Sequence, residues 1–314
     1  MSVSYLITLY NKEDFIGNVI DAVLAEQAET GGEIIVYDDV SIDRSSEILQ
    51  DHISMHPQQL SSIKVIRGDR NRGVGYATNR LIELATQPYS RLVDADDVLV
   101  RGSTANLLRL LREHKLGFIH GFTTEVGNHD TGLETQKYET VRPLVNPTRR
   151  ILRHTIAGTS PSLFVTEELR KSAPVPEWIK RTQDFLITLR VAYRGTPMGQ
   201  VTDVVSIGPS DRTGNNLSAS LAAMFAEMSR DVAHDGNLLP LKELRYAARR
   251  YSARTAKYFR RRGHSKLTAV EKFKLWLWQQ TSPFAPRQMC IERLSGTADL
   301  LERDRNVLIT GPAR

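Results

Sequence analysis

The sequence contains a single cysteine, Cys290, among 314 residues. One cysteine excludes an intramolecular disulfide framework and a cysteine-rich metal site, and it suits a reducing compartment. No stretch reaches the roughly 18 consecutive apolar residues that a membrane-spanning helix requires. The short apolar run at residues 3–9 has no basic residue before it, unlike a secretory leader. We therefore expect a cytoplasmic protein with no segment that crosses a bilayer.

Motifs of several enzyme classes are also missing. The sequence has no P-loop and no nucleophile-elbow serine, and His120 and His154 lack a second histidine at metal-ligand spacing. Gly73 and Gly75 superficially resemble a phosphate-binding loop, but the third glycine of a dinucleotide fingerprint is absent. These absences argue against P-loop NTPases, serine hydrolases of the nucleophile-elbow type and dinucleotide-dependent oxidoreductases.

Apolar runs alternate with segments of helical period in the first hundred residues. Such alternation predicts an α/β fold with a mainly parallel sheet and helices on both faces. The predicted strands are residues 3–9, 33–37, 63–67, 91–93, 117–120, 162–165 and 201–207. Residues 121–135 are rich in Gly, Thr, Asn and Asp and predict a hairpin or loop. A helix is predicted at 185–192, and residues from 221 onward read as helical.

The positive charge is concentrated near the C-terminus. The net charge is +6, and residues 242–287 contain thirteen Lys and Arg against two Glu. Basic and aromatic residues alternate along the helices predicted there, a pattern typical of helices that lie on anionic lipid. A packed helix with a solvated basic face is the alternative. Nucleic acid is not an expected partner, because no nucleic-acid-binding module is recognisable.

Polar clusters follow three of the predicted strands. Tyr10 and Asn11 follow the first, Asp38-Asp39 the second, and the run Asp94-Ala95-Asp96-Asp97 the strand that begins near Arg91. Ligands of open parallel sheets bind at these carboxyl ends. Several carboxylates in one place repel each other unless a cation neutralises them, and oxygen ligands favour Mg²⁺ or Mn²⁺. The sequence therefore predicts a divalent cation that bridges an aspartate to a substrate diphosphate.

These motifs together resemble the inverting GT-A glycosyltransferases of the family 2 type, which include many bacterial cell-surface polysaccharide enzymes. The resemblance covers roughly residues 3–220. It rests on segments in the family's order and spacing, namely Tyr10-Asn11, residues 33–43, Asn71-Arg72-Gly73, Ala77-Thr78-Asn79 and Asp94-Ala95-Asp96-Asp97. It implies a Rossmann-like GT-A fold and inverting transfer of a hexosyl or N-acetylhexosaminyl group from a nucleotide-diphosphate donor, with UDP favoured. The acceptor would be a hydroxyl of a glycan or a lipid-linked glycan.

The resemblance also implies roles for individual residues. Asp39 would accept the N3–H of uracil, with Asp38 beside it in reading the nucleotide. Asp96, with Asp97, would bind Mn²⁺ or Mg²⁺, while Asp94 would face the ribose or the sugar. As alternatives, Asp38 could cap the next helix, and the 94–97 cluster could simply precede a helix. The other nucleotide-binding residues are expected to be Leu9, Tyr10, Asn11, Asn71, Gly73, Asn79 and Arg212, for the last of which a solvated surface position is the alternative.

The catalytic base is expected in the second half. Similar enzymes carry an acidic pair at the start of a helix after a Trp-containing segment, and this chain has Gln183-Asp184 after Trp178. Inversion by single displacement needs one carboxylate that accepts the proton of the acceptor hydroxyl. Asp184 is the predicted base, and an N-cap role for it is the alternative.

Two departures from the family pattern leave a second function open. Thr78 stands where the family usually has Arg, and Gln183 replaces the first acid of the pair. A catalytically degenerate, nucleotide-binding partner subunit is therefore the alternative to an active enzyme. The expected parts are a nucleotide-sugar-binding half (1–100), an acceptor-binding half (101–220) and a basic helical extension (221–314). If the extension binds lipid, the protein would be peripheral on the inner face of the plasma membrane.

Overall fold

Four apolar strands form the parallel part of the sheet. The computed structural model describes residues 2–126, 140–154, 158–209, 221–261 and 267–309. In it, β1 (Val3–Leu9) pairs with β2 (Gly32–Asp38) and β4 (Tyr89–Asp94), and β2 pairs with β3 (Ile63–Arg67). Every residue of β1 except Thr8 is buried, as expected for a central strand covered on both faces. The register sets the carboxyl ends of β1, β2 and β4 side by side.

The rest of the sheet is mixed. β8 (Ser162–Val165) runs antiparallel between β4 and β6 (Phe118–Val126), and β9 (Met198–Pro209) lies parallel to β6. Two short strands, β5 (Val98–Leu99) and β7 (Arg142–Pro143), pair antiparallel with β9. The strand order among the described residues is β3-β2-β1-β4-β8-β6-β9-β5, with β7 beside β9.

Helices of the first unit pack in two groups. One contains α1 (Ile16–Thr30), α2 (Ser45–Ser54) and α4 (Ser103–Glu113), and the other contains α3 (Val74–Leu84), α6 (Thr166–Ser172) and α7 (Gln183–Tyr193). α1 buries Ile16, Val19, Ile20, Val23 and Leu24, so its apolar residues form one stripe. The mainly parallel α/β fold predicted from the alternation of strands and helices is confirmed.

One predicted loop is part of a strand. Residues 121–135 were expected to form a hairpin or loop, but residues 121–126 extend β6. Irregular register between His120 and Thr123 accommodates this composition. A Cβ on Gly121 would lie 2.6 Å from Val205 Cγ1, so glycine permits the close approach of β9. Pairing with β9 therefore outweighs the weak strand propensity of the segment, and residues 127–135 lie outside the described residues.

The chain forms two compact units. The first consists of Met1–Pro147 and Thr155–Arg212, and the second of Thr148–His154 and Thr213–Arg314. The described part of the second unit is helical: it contains most of α5 (Pro147–His154), and all of α8 (Leu221–His234), α9 (Leu241–Arg261), α10 (Ala269–Thr281) and α11 (Arg287–Ile309). Ala226, Phe259, Leu275 and Leu301 belong to its small core. The predicted C-terminal helical extension is confirmed.

Within the described ranges, no helix combines the length and the apolar composition needed to cross a membrane.

A fully buried arginine in β4 joins five parts of the first unit. The Arg91 guanidinium donates to Thr104 Oγ1 at 2.6 Å and to the carbonyls of Ser160 and Val205 at 3.0 Å. Its Nη1 lies 3.7 Å from a carboxylate oxygen of Glu26 in α1, and Glu26 also accepts the Thr104 N–H at 2.7 Å. Because both charges are buried, each depends on the other and on these hydrogen bonds.

We predict that Arg91→Met destabilises the first unit by about 3–5 kcal/mol, because it leaves the Glu26 carboxylate buried without its counter-ion. The free energy of unfolding in urea measures the loss. The double variant Arg91→Met/Glu26→Gln should recover part of it, since no uncompensated charge then remains. An Arg91→Met protein as stable as the wild type would contradict this account of the network.

Candidate functional site

The turns that follow β1 and β2 are hydrogen-bonded to each other. The Asn11 N–H donates to Ser41 Oγ at 3.1 Å, and the Ile42 N–H donates to Asn11 Oδ1 at 2.9 Å. Asn11 and Val40 have φ values of 50° and 65°, and this left-handed region is costly for a β-branched residue such as Val40. The two turns are thus held in a strained arrangement at the edge where ligands of parallel sheets bind.

Asp38 bonds to groups of the protein itself. Its Oδ1 accepts the Ser41 N–H at 2.8 Å, and its Oδ2 accepts Arg67 Nη1 at 2.7 Å and the Ser46 hydroxyl. The residue is only 2% exposed. These contacts favour a structural role for Asp38 in fixing the turn before α2 over direct reading of a nucleotide.

Asp39 holds the loop that leads into α3. Its two carboxylate oxygens accept the N–H groups of Arg72 at 2.9 Å and Gly73 at 2.7 Å. Burial raises the pKa of Asp39, and these N–H groups oppose the increase. Each oxygen can still accept one more hydrogen bond. Leu9 is buried, and its carbonyl accepts the Asp39 N–H at 2.8 Å, so Leu9 supports Asp39 through its backbone.

Solvent-accessible side chains lie next in sequence to the residues that bond to Asp39. Tyr10 is 43% exposed and Asn71 is exposed, so both side chains can form walls of a ligand pocket. The Arg72 guanidinium stacks 3.7 Å from the centre of the Tyr76 ring and pairs with Glu177 at 3.0 Å. This side chain therefore links the loop before α3 to the segment that precedes α7.

Asn79 uses both ends of its amide within the protein. Its Nδ2 donates to the Val175 carbonyl and its Oδ1 accepts the Val175 N–H, each at 2.8 Å. A Cβ on nearby Gly75 would lie 2.8 Å from the Pro176 carbonyl oxygen, so α3 and this segment are in close contact. Asn79 was expected to bind the nucleotide; in the structure its amide fastens α3 to the segment leading to α7.

Hydrogen bonds, an ion pair and burial act on the acidic cluster at the end of β4. Asp94 Oδ2 accepts Thr159 Oγ1 at 2.5 Å, and the Asp94 N–H donates to Ser160 Oγ at 3.0 Å. Burial, followed by the negative charge of Asp96, raises the pKa of Asp94 to about 6. The Lys12 ammonium lies 2.5 Å from Asp96 Oδ2. The repulsion between carboxylates that the sequence predicted is therefore present, and Lys12 offsets part of it.

Lys12 was not singled out in the sequence. It lies in the same polar turn as Asn11. The sequence indicated its role only as a basic residue after the first strand, at the edge of the sheet where the two acidic clusters were also expected. Its backbone N–H donates to Ser45 Oγ at 2.6 Å, which fixes the base of the side chain.

The acidic cluster has suitable chemistry for a divalent cation. Within the described residues, no three His, Cys, Asp or Glu side chains are placed to hold a metal ion by themselves. Asp94 and Asp96 nevertheless leave negative charge that one ammonium does not neutralise, and carboxylate oxygens are hard ligands. Asp97 lies beside Gly208, where an added Cβ would be 3.0 Å from its Oδ1. The residues fit a cation that takes its other oxygens from a bound diphosphate.

The predicted base lies in the first turn of α7. Asp184 is the second residue of this helix, its Oδ1 accepts the Phe185 N–H at 2.7 Å, and the N-cap is Thr182. A carboxylate at this position interacts favourably with the helix dipole. Gln183, one residue earlier, is 7% exposed, and its Oε1 has no hydrogen-bond partner in the described part of the chain. Arg212 lies outside the described residues.

Comparison with known proteins gives a family match and similar folds. Residues 4–164 match the family model described as "Glycosyl transferase family 2". A putative teichuronic acid biosynthesis glycosyltransferase, TuaG of Bacillus subtilis, is 28% identical over 116 residues, which cover 37% of this chain and 44% of that protein. The match thus spans less than half the length of this curated relative.

Two solved structures are similar in fold. Staphylococcus aureus TarS (residues 1–349) has a TM-score of 0.62 at 17% identity, covering 99% of this chain and 92% of that one. TarS has also been solved in complex with UDP-GlcNAc. Mannosyltransferase PcManGT of Pyrobaculum calidifontis, in complex with GDP-Man and Mn²⁺, has a TM-score of 0.53 at 14% identity, covering 99% of this chain and 76% of that one.

We predict that Asn79→Leu lowers the free energy of unfolding by about 2–4 kcal/mol, because two buried backbone groups of Val175 lose their partners. Denaturant unfolding measures the loss, and substitution of the partly exposed neighbour Arg80 by Gln is the control. If Asn79→Leu keeps wild-type stability and weakens only nucleotide binding, the structural role assigned to Asn79 is wrong.

Proposed function

Because the chain belongs to glycosyl transferase family 2, we propose that it is a metal-dependent, inverting glycosyltransferase. It moves a hexosyl or N-acetylhexosaminyl group from a UDP-sugar to a hydroxyl of a glycan or lipid-linked glycan in cell-surface polysaccharide synthesis. The observation that carries this proposal is that Asp39 follows β2 while Asp94 and Asp96 lie at the end of β4, and these two strands flank β1 and end at the same edge of the sheet.

Donor binding begins at Asp39 in this proposal. Its carboxylate is fixed by two backbone N–H groups and keeps acceptor capacity for the N3–H of uracil. Tyr10 and Asn71 form the exposed border of the base pocket. The UDP-GlcNAc complex of TarS supports a uridine donor, whereas the GDP-Man complex of PcManGT makes guanosine the competitor to test.

The donor diphosphate binds at the acidic cluster. Asp96, with Asp97, holds Mn²⁺ or Mg²⁺, and Asp94 faces the ribose or the sugar. When bound, the cation supplies Lewis-acid stabilisation of the departing nucleoside diphosphate. Lys12 keeps Asp96 in place through its 2.5 Å contact until the donor arrives. Thr159 and Ser160 fix Asp94 from the other side.

Asp184 is the proposed general base. It accepts the proton of the acceptor hydroxyl as that oxygen attacks the anomeric carbon, which inverts the configuration there. The Phe185 N–H bond orients its carboxylate, and the Asn79–Val175 bonds hold the segment before α7 against α3. Arg212 is the proposed further ligand of the diphosphate.

The second unit is the proposed site of membrane contact. Among the residues of α10 only Leu275 is buried, while Phe273 and Trp276 are 59% and 54% exposed with ring centres 5.8 Å apart. Lys272 and Lys274 flank these rings and are exposed. Aromatic rings beside ammonium groups suit the interface of an anionic membrane. The enzyme would then work on the cytoplasmic face of the membrane, where lipid-linked acceptors are available.

A catalytically degenerate partner subunit is the second candidate function. The observation in its favour is Gln183, a buried amide at the position where similar enzymes carry the first acid of the pair. This candidate predicts nucleotide binding without sugar transfer, so a transfer assay on the wild-type protein separates the two functions.

We expect UDP to raise the melting temperature in the presence of Mn²⁺ and much less in EDTA, since a ligand of the native state stabilises it. Asp96→Ala should abolish the Mn²⁺-dependent part. Asp184→Asn should retain UDP binding and lose about 10²–10⁴-fold in sugar transfer, because it lacks the base.

The control for both variants is Asp51→Asn, which removes an exposed carboxylate from α2. A larger shift in melting temperature with GDP than with UDP would reassign the donor nucleobase from uracil to guanine. Full sugar transfer by Asp184→Asn would refute the assignment of Asp184 as the catalytic base. Nucleotide binding without sugar transfer by the wild-type protein would favour the partner-subunit function.

We expect Phe273→Ser/Trp276→Ser to weaken binding to phosphatidylglycerol vesicles at least about tenfold, because two aromatic rings no longer enter the interface. Both side chains are more than half exposed, so the fold should be retained. Met55→Ser, an exposed apolar residue of the first unit, is the control. Unchanged vesicle co-sedimentation of the double variant would rule out this face.

A further inference from the structure

Two arginines of α9 converge on one carbonyl group. Arg250 Nη2 and Arg254 Nη2 both donate to the Arg153 carbonyl oxygen at the end of α5, at 2.6 and 2.7 Å. The two guanidinium groups therefore lie side by side around a single oxygen. We call Arg153, Arg250 and Arg254 the arginine cluster; all three residues belong to the second unit.

The arginine cluster has hydrogen-bond donors without acceptors. Arg250 Nε and Arg254 Nη1 are buried and have no hydrogen-bond partner among the described residues. Buried donors are satisfied in most native proteins, and an unsatisfied one in a polar site indicates a missing water or ion. Here two such donors come from neighbouring cations, so the missing partner has to supply several acceptor oxygens.

Negative charge around the arginine cluster is low. Burial lowers the pKa of Arg254; Tyr251 opposes this decrease, and the charge of Arg250 adds to it. Glu243, in the first turn of α9, forms its ion pair with Arg149 at 2.6 Å. In the described ranges, no carboxylate forms an ion pair with Arg153, Arg250 or Arg254. Among the described residues, the like charges of the cluster therefore have no counter-ion, and an anion would relieve their repulsion.

We propose that the arginine cluster binds a phosphate group, either as free phosphate or as the phosphodiester of an anionic lipid headgroup. Guanidinium forks match the oxygens of phosphate and form short, charge-assisted hydrogen bonds with them. The phosphate oxygens would accept from Arg250 Nε and Arg254 Nη1, the two donors left unused. The inference does not depend on the donor-sugar assignment, because none of its residues belongs to the first unit.

The test compares the full chain with the double variant Arg250→Gln/Arg254→Gln and with the control Arg249→Gln/Arg260→Gln. Arg249 and Arg260 are exposed residues of α9, so the control also removes two positive charges but leaves the cluster intact. Calorimetric titration with inorganic phosphate, at ionic strength held constant with chloride, gives the dissociation constant. We expect similar binding by the wild type and the control, and binding at least about tenfold weaker for the double variant.

A second variant guards against loss of the fold. Arg254→Lys keeps the charge but not the guanidinium fork, so it should also weaken phosphate binding while its circular dichroism stays that of the wild type. Without phosphate, the melting temperature of the double variant should change little, because removal of the repulsion offsets the loss of the hydrogen bonds to the Arg153 carbonyl.

The source of the phosphate is decided with phosphatidylglycerol vesicles. Weaker vesicle binding by the double variant than by the control Arg249→Gln/Arg260→Gln assigns the site to a lipid headgroup. Phosphate binding that the double variant loses, with equal vesicle binding by all proteins, assigns it to a soluble phosphate compound. Equal phosphate affinity of the double variant and the wild type, or no binding of either probe by the wild type, overturns the proposal.

Discussion

The ion pair between Arg91 and Glu26 is the interaction on which the first unit depends. Two opposite charges are fully removed from water there, and the surrounding hydroxyl, amide and carbonyl groups complete their hydrogen bonds. Ser160 connects this network to the acidic cluster, because its carbonyl accepts from Arg91 and its hydroxyl accepts from the Asp94 N–H. The position of Asp94 is thus set by a buried charge three residues earlier in the same strand, which gives the site a rigid base.

The candidate site keeps its acids close at an energetic cost. Asp94 and Asp96 repel each other, and the single ammonium of Lys12 offsets only part of that repulsion. The strained Val40 backbone adds a further cost at the neighbouring turn. Such costs collect where a ligand later supplies compensating interactions, and the arrangement of hydrogen bonds around Asp38 and Asp39 keeps the turns in place meanwhile. Stability and ligand binding therefore make opposite demands on the same few residues.

Sequence patterns predicted the strands and the acidic clusters well, because periodicity and strand ends are local features. The partners of individual side chains were not accessible in the same way. Asn79 meets Val175 across 96 residues, and Lys12 meets Asp96 across 84. Neither separation leaves a trace in local composition. Residues 121–126 were predicted incorrectly for the same reason, since pairing with β9 decides their conformation and their own propensity does not.

The contact between α3 and the segment before α7 also limits which parts of such proteins can be exchanged by recombination. Gly75 permits the close approach of Pro176, and the Asn79 amide matches both backbone groups of Val175. A chimera that took its first hundred residues from one parent and the remainder from another would have to inherit both sides of this contact together. Exchange of acceptor preference between relatives would then proceed through loops outside this contact. The two matched segments would be inherited together.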